Sequence, residues 1–233
     1  MAVRRRLRAD FEGKTIDGHA HAGVSLKAYA LGEYPYAQSV EGLAYRMRAC
    51  GVDGAVVFPY TPDLYFEFAA LSRGEMVPVA GPVSPAPYAA ENRLLLRELF
   101  DYCPELSDRF IPFVSVDPGR AARAQLDELT RLAAEYPIYG VKINPVLCQS
   151  HVAGLLDAGA PLLDFAEERG LPLLAHTTPL SEDEYSRASD VFRIIEARPA
   201  LRFCLAHCLL FHPRPTCLRP LCCPWSKSIW GEG

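Results

Sequence analysis

The chain has 233 residues, of which 50% are hydrophobic and 22% charged, and its formal net charge at pH 7 is −4. This composition is typical of a globular protein with a sizeable core, and the weakly acidic balance argues against nucleic acid as a partner and for a small-molecule substrate. No apolar run approaches the ~20 residues that span a bilayer, so we expect a cytoplasmic protein with no membrane partner.

Short apolar segments bounded by turn residues alternate with helical patterns along the chain. Near-continuous hydrophobic runs are typical of strands covered on both faces, and their alternation with helices indicates a parallel sheet. The predicted strands are residues 14–17, 54–59, 110–116, 139–143, 171–175 and 201–206. Residues 23–40 are predicted to form a loop after the first strand.

Helices are predicted between these strands, at 91–103, 122–133, 161–170 and 189–198, from apolar spacing and from Pro and Gly at their ends. About six βα units in succession predict either a (β/α) barrel or a doubly wound sheet. Polar residues stand at or just past the ends of the predicted strands, which favours the barrel, where chemistry sits at the carboxyl ends of the strands.

Two imidazoles stand two residues apart after the first predicted strand. Side chains alternate along an extended backbone, so His19 and His21 face one side and can converge on one ion. Asp17 can orient one imidazole as an acceptor, or it can be a turn residue. His176 ends an apolar strand and supplies a third nitrogen, the usual minimum for a catalytic metal site. An isolated His-x-His pair is more often structural. His207, just past the last predicted strand, offers a fourth imidazole, and its alternative explanation is a capping or packing residue.

These residues resemble the second amidohydrolase family, which contains metal-dependent decarboxylases, lactonases and hydrolases with a DxHxH signature. The resemblance covers roughly residues 14–210. Each matching motif is weak by itself, and the five together, in the order of the family, are more specific. The motifs are 17–21, 109–118, 140–145, 174–177 and 205–207.

The resemblance implies an α/β fold of the (β/α)8 TIM-barrel type with a single divalent metal. It implies that His19, His21 and His176 are the metal ligands and that His207 is the catalytic histidine that positions or protonates water or substrate. Lys142 matches the family's strand-four lysine, which implies that it binds the substrate. An equally open explanation is that it is a charge at the barrel mouth that pairs with a carboxylate. Three imidazoles suit zinc, and manganese, iron or cobalt would bind a similar set.

The implied activity is hydrolysis of an amide, lactone or ester, with non-oxidative decarboxylation as the alternative, and the histidines do not choose between them. The family's last ligand is an aspartate on strand eight, and strands seven and eight are missing here. A segment rich in Cys, Pro and Trp follows instead. We therefore expect an incomplete barrel over residues 1–210 and an aberrant tail over 211–233, the product of truncation or a frameshift.

An inactive remnant of the family is one alternative, because the strand-eight carboxylate is central to the mechanism. A structural zinc cluster in the tail is another, although its cysteine spacings match no regular zinc pattern. The earlier cysteines are expected to be reduced packing thiols. The sequence leaves open whether the chain forms a homo-oligomer.

Overall fold

The computed structural model describes residues 11–33, 37–60, 66–79, 86–177 and 184–206. The chain divides into two compact units. The first comprises Met1–Ser115 and Asp127–Tyr139, and the second comprises Val116–Leu126 and Gly140–Gly233. His207 and the tail lie outside the described residues, so what the sequence predicts for them stays a prediction. None of the helices in the described ranges is both long and apolar enough to cross a membrane.

The strands of the first unit follow the order β2-β1-β3-β4. Strands β1 (Ile16–Val24), β3 (Gly54–Pro59) and β4 (Phe110–Val116) are mutually parallel, and the short β2 (Ala37–Gln38) is antiparallel to β1. Every residue of β3 and β4 is buried, as expected for strands of a parallel sheet.

The first two helices begin at serine residues that cap them. The side chains of Ser25 and Ser39 accept backbone N–H groups as N-caps of α1 and α2, and Gly32 ends α1 with a φ of 72°. The helical elements are α1 (Leu26–Leu31), α2 (Val40–Ala49), α3 (Phe68–Leu71), α4 (Ala89–Arg97), a π-helical turn (Glu98–Tyr102), a 3₁₀ helix (Pro104–Arg109) and α5 (Ala122–Glu135).

The second unit contains three parallel strands in the order β5-β6-β7. Gly170, with a φ of 61°, follows the helix before β6, where a left-handed residue ends the helical turn. The strands are β5 (Gly140–Ile143), β6 (Leu173–His176) and β7 (Phe203–Ala206). The helices are α6 (Pro145–Cys148), a 3₁₀ helix (Val152–Leu156), α7 (Ala160–Glu168) and α8 (Ala188–Ala197).

The two faces of the sheet in the first unit differ in character. The side chains of Ala20, Ala22, Ala55 and Val57 belong to one hydrophobic cluster that includes residues of α2 and α4. His21 pairs in register with Phe58, and alternation along the strands places both on the opposite face. The histidine-bearing face is therefore the one that α2 and α4 do not cover.

The six predicted parallel strands are all present, which confirms the βα alternation, but two predictions were wrong in detail. Strand β1 runs to Val24 instead of ending at Asp17, so His19 and His21 lie inside the strand. The prediction failed because the strand continues through a His-Ala alternation that no apolar run marks. The segment 23–40 is not a plain loop, since it contains α1 and β2.

Candidate functional site

Strand β1 carries an irregularity where the two imidazoles begin. Asp17 pairs with Ala55 and Ala20 with Val57, so β1 has one residue more than β3 over this stretch. Such bulges re-aim side chains and are common beside active sites. The backbone N–H of His19 donates a hydrogen bond of 2.9 Å to Oδ1 of Asp17. Of the two roles predicted for Asp17, this bond matches that of a turn residue that shapes the backbone.

The rings of His19 and His21 lie with their centroids 5.4 Å apart and their planes at 51°. Two imidazoles bound to one zinc ion through nitrogen have centroids roughly 5 Å apart, given Zn–N distances of about 2.0–2.1 Å. The pair therefore has a spacing that suits a shared ion.

Aromatic side chains hold this pair in place. Phe58, which is fully buried, presents an edge-on contact to His19 at 4.9 Å and to His21 at 4.5 Å. Tyr60 stacks on His21 at 5.2 Å with an interplanar angle of 18°. Such contacts restrict ring orientation at little entropic cost. The sequence analysis did not predict the contacts that Phe58 and Tyr60 make with these rings.

The second unit has its own polar face. Lys142 pairs in register with Leu174, and Leu174 with Cys204, while His176 pairs with Ala206. Residues in register on parallel strands face the same side, so Lys142, His176 and Cys204 share one face of β5, β6 and β7. The opposite face is formed by apolar side chains such as Ile143 and Ala175, both fully buried.

Lys142 is buried, with 1% of its surface exposed. Burial lowers its pKa from the ordinary value of 10.5 to about 7, and negative charge at Cys204 acts in the opposite direction. At neutral pH the amine is therefore present in both its protonated and neutral forms. A lysine with a pKa shifted this far is typical of functional sites.

Asn144, directly after β5, is a residue of this face that the sequence analysis did not single out. Its side-chain oxygen Oδ1 is buried and has no hydrogen-bond donor among the described residues. Asn144 stands at the N-cap of α6, but its side chain makes no capping hydrogen bond. The sequence signals were its place in the motif 140–145 and its spacing, two residues beyond Lys142.

The loops that follow β4 and β5 are tied together within the second unit. Asp117, which is 2% exposed, accepts the backbone N–H groups of Gly119 and Arg120 and one guanidinium N–H of Arg120 at 2.8 Å. The same guanidinium donates to the carbonyl oxygens of Cys148 and Gln149. These bonds fix the loops beside the carboxyl ends of the strands, where the polar residues lie.

The predicted site residues are thus distributed over both units. His19 and His21 belong to the first, and Lys142 and His176 belong to the second. Within the described part of either unit, no group of three or more His, Cys, Asp or Glu side chains is arranged to hold a metal ion. The three-histidine metal site and the roles of Lys142 and His207 stay predictions.

An amidohydrolase family model matches residues 16–215 of the chain, which confirms the resemblance seen in the sequence. No curated protein matches the chain. An uncharacterized TIM-barrel protein from Bordetella bronchiseptica is similar in structure, with 14% sequence identity and a TM-score of 0.50. That match covers 82% of this chain and 65% of the other.

Two further solved structures are similar at lower TM-scores. One is an amidohydrolase from Mycobacterium avium subsp. paratuberculosis, with 16% identity, a TM-score of 0.41, and coverage of 75% of this chain and 50% of that one. The other is a dihydroorotase from Campylobacter jejuni, with 16% identity, a TM-score of 0.35, and coverage of 84% and 49%.

At such identities the likeness concerns the fold alone, and the Bordetella protein confirms the predicted TIM-barrel type. The chain spans 65% or less of the length of each of these proteins. The described residues include six parallel strands, whereas a complete barrel has eight, so the barrel that they represent is incomplete.

Proposed function

The chain belongs to the amidohydrolase family, and from that premise we propose that it is a metal-dependent hydrolase of a small-molecule substrate. The observation that carries the proposal is the pair of imidazoles on β1, whose centroids lie 5.4 Å apart on the face that α2 and α4 do not cover. The proposed ligands are His19 and His21 from β1 with His176 from β6, and the proposed ion is zinc or a similar divalent metal.

The donor set fits such an ion chemically. Imidazole nitrogen is a preferred ligand of zinc, and three of them leave a position open for water or substrate. When bound, the cation supplies a Lewis acid that polarises a carbonyl and lowers the pKa of water towards ~7. Phe58 and Tyr60 hold the His19 and His21 rings in orientation, which reduces the entropy lost on coordination.

Lys142 supplies a second function at this site. It shares a face with His176, and its pKa of about 7 lets its amine exist in either protonation state at neutral pH. As an ammonium group it donates a hydrogen bond to a substrate oxygen, and as a free amine it accepts a proton. We assign it to substrate binding. His207 is proposed to transfer a proton to or from the substrate.

Metal content of the purified protein tests this proposal. Wild-type protein should carry about one divalent ion per chain, and a His19→Ala, His176→Ala double variant should lose it. The matched control is His151→Ala, because His151 is exposed and its Nδ1 contacts the carbonyl oxygen of Glu184 at 3.0 Å, outside the proposed site. The control should keep its metal. A wild type without metal above background, or a double variant that keeps it, contradicts the proposal.

Activity gives the complementary measurement. A panel of amides, lactones and esters should include a substrate whose hydrolysis stops on treatment with a chelator and resumes when zinc is returned. Hydrolysis that persists in the chelator-treated protein is inconsistent with metal dependence.

A further inference from the structure

We propose that Asn144 is a recognition residue of the site proposed above, and that its side-chain oxygen accepts a hydrogen bond from an N–H group next to the reacting carbonyl. The inference rests on the proposed function and names its substrate class. The proposed hydrogen bond selects amides over the esters and lactones that the same chemistry could hydrolyse.

The side-chain oxygen of Asn144 has a hydrogen-bonding capacity that the described residues leave unused. Oδ1 of Asn144 is buried, and no described group donates to it. Buried polar atoms of native proteins nearly always have a partner, and leaving an acceptor unsatisfied is unfavourable. A buried acceptor without a donor is therefore suited to bind a donor on a ligand.

The Asn144 side chain also lacks a local hydrogen bond that it is well suited to make. Asparagine is among the best N-cap residues, because its oxygen can accept an N–H of the first helical turn. Ser25 and Ser39 make this bond in the same chain. Asn144 occupies the N-cap of α6 and makes no such bond. Helix formation therefore does not explain the conformation of this side chain.

Asn144 also stands next to two residues of the proposed site. Ile143 pairs in register with Ala175, so the next residue, Asn144, comes level with His176 on the neighbouring strand. Neighbouring strands lie about 4.8 Å apart, and residues two apart on a strand face the same side. Asn144 thus shares a face with Lys142 and adjoins His176. A substrate bound by these two residues has Asn144 beside it.

A second buried asparagine gives the contrast. Asn92, which is 2% exposed, donates to the carbonyl oxygen of Ser115 at 2.9 Å and accepts the Ser115 N–H at 2.8 Å. Both ends of its amide are used to join α4 to β4. In Asn92, whose role is structural, both the nitrogen and the oxygen of the side-chain amide are hydrogen-bonded. Asn92 therefore serves as the matched control for Asn144.

The selectivity follows from the donor that each substrate class offers. A secondary or primary amide presents an N–H beside its carbonyl, whereas an ester or lactone presents an oxygen that cannot donate. Binding of the wrong class leaves the buried acceptor unpaired, which is expected to cost roughly 5- to 150-fold in affinity.

Binding of two hydroxamates to the zinc-loaded full chain tests the inference. Acetohydroxamate carries an N–H beside its carbonyl, and N-methylacetohydroxamate does not. Dissociation constants from calorimetry should show that the wild type prefers the first by about 10-fold. Asn144→Leu, of similar size but without an acceptor, should lose most of this preference. Asn144→Asp keeps an acceptor oxygen and should retain the preference for acetohydroxamate. The bulk of the methyl group affects the wild type and the variants alike, so the change in preference from wild type to variant is the quantity that reports the N–H contact.

Thermal unfolding of the metal-free chain gives a readout that needs no ligand. Asn144→Leu removes an unsatisfied buried acceptor, so its Tm should equal or exceed that of the wild type. Asn92→Leu removes the two hydrogen bonds between the Asn92 side chain and the backbone of Ser115, and its Tm should fall by roughly 4 °C or more.

Each outcome decides something. Equal affinity of the wild type for both hydroxamates, an undiminished preference in Asn144→Leu, or a fall in Tm as large as that of Asn92→Leu overturns the recognition role. Binding of zinc without binding of either hydroxamate overturns this inference alone. Failure of the wild type to bind zinc contradicts the proposed function and this inference with it.

Discussion

Replacing Lys142 with methionine should stabilise the metal-free protein, and by more at pH 7 than at pH 9. Lys142 is 1% exposed, and its burial lowers its pKa from 10.5 to about 7. The folded chain therefore loses this proton near neutral pH, whereas the unfolded chain keeps it until the ordinary pKa of lysine. A methionine at this position has similar length and no charge to bury.

The sign and size of this pH-dependent stabilisation follow from proton linkage. Between pH 7 and 10.5 the unfolded state binds more protons than the folded state, so the free energy of unfolding rises with pH by up to ~1.4 kcal/mol per unit. Below this window both states are protonated and the full cost of the buried charge applies, and above it neither is protonated. Through this one group, the wild type gains about 2 kcal/mol between pH 7 and pH 9.

Urea unfolding with a chelator present, at both pH values, measures the effect. Lys142→Met should exceed the wild type in free energy of unfolding by about 4 kcal/mol at pH 7 and about 2 kcal/mol at pH 9. Altered packing adds an offset that does not depend on pH, so the change between the two pH values is the quantity to compare. Lys14→Met, at an exposed lysine, is the control and should show no such change. A difference for Lys142→Met that stays constant with pH would refute the buried-amine argument.

Two further predictions concern packing and ion pairing, and urea unfolding checks both. Gly159→Ala should lower the free energy of unfolding by about 2–3 kcal/mol, because a Cβ there would clash with the carbonyl oxygen of Pro118. Gly18→Ala is the control, because its added Cβ meets no atom within 4 Å, and it should change the free energy little. Equal effects of the two substitutions would contradict the clash. Glu128→Gln should cost about 1–2 kcal/mol, since this nearly buried carboxylate accepts from Arg93 and Arg131 at 2.7 Å. Glu75→Gln is the control, because the exposed ion pair of Glu75 with Arg73 should contribute under about 0.5 kcal/mol. If it lowered the free energy of unfolding as much as Glu128→Gln does, burial of the carboxylate would be unimportant.

Several features of the fold were predictable from local sequence. Strands β3 and β4 have the predicted bounds, 54–59 and 110–116, because near-continuous apolar runs mark strands that are buried on both faces. His176 stands at the end of β6, as predicted from the apolar run before it. The family was predictable as well, because its motifs can be read in order along the chain.

Other features depend on atoms far away along the chain. Strand β1 continues past Asp17 because Ala20 and Ala22 pack into the cluster that includes α2 and α4, and alanine gives no strand signal of its own. Asn144 has the sequence signature of an N-cap and does not act as one. Phe58 was predicted only as part of a buried strand, yet it contacts both imidazoles of β1.

The sequence by itself determined the alternation of strands and helices and the family, and it predicted the histidine ligands, because these depend on the period of apolar residues and on motifs read along the chain. Only the tertiary structure decided which face of each sheet is polar, how far the pKa of Lys142 falls, and that the oxygen of Asn144 lacks a described donor. Burial, pKa shifts and hydrogen-bond satisfaction are set by neighbours brought together in space, and no local pattern encodes them.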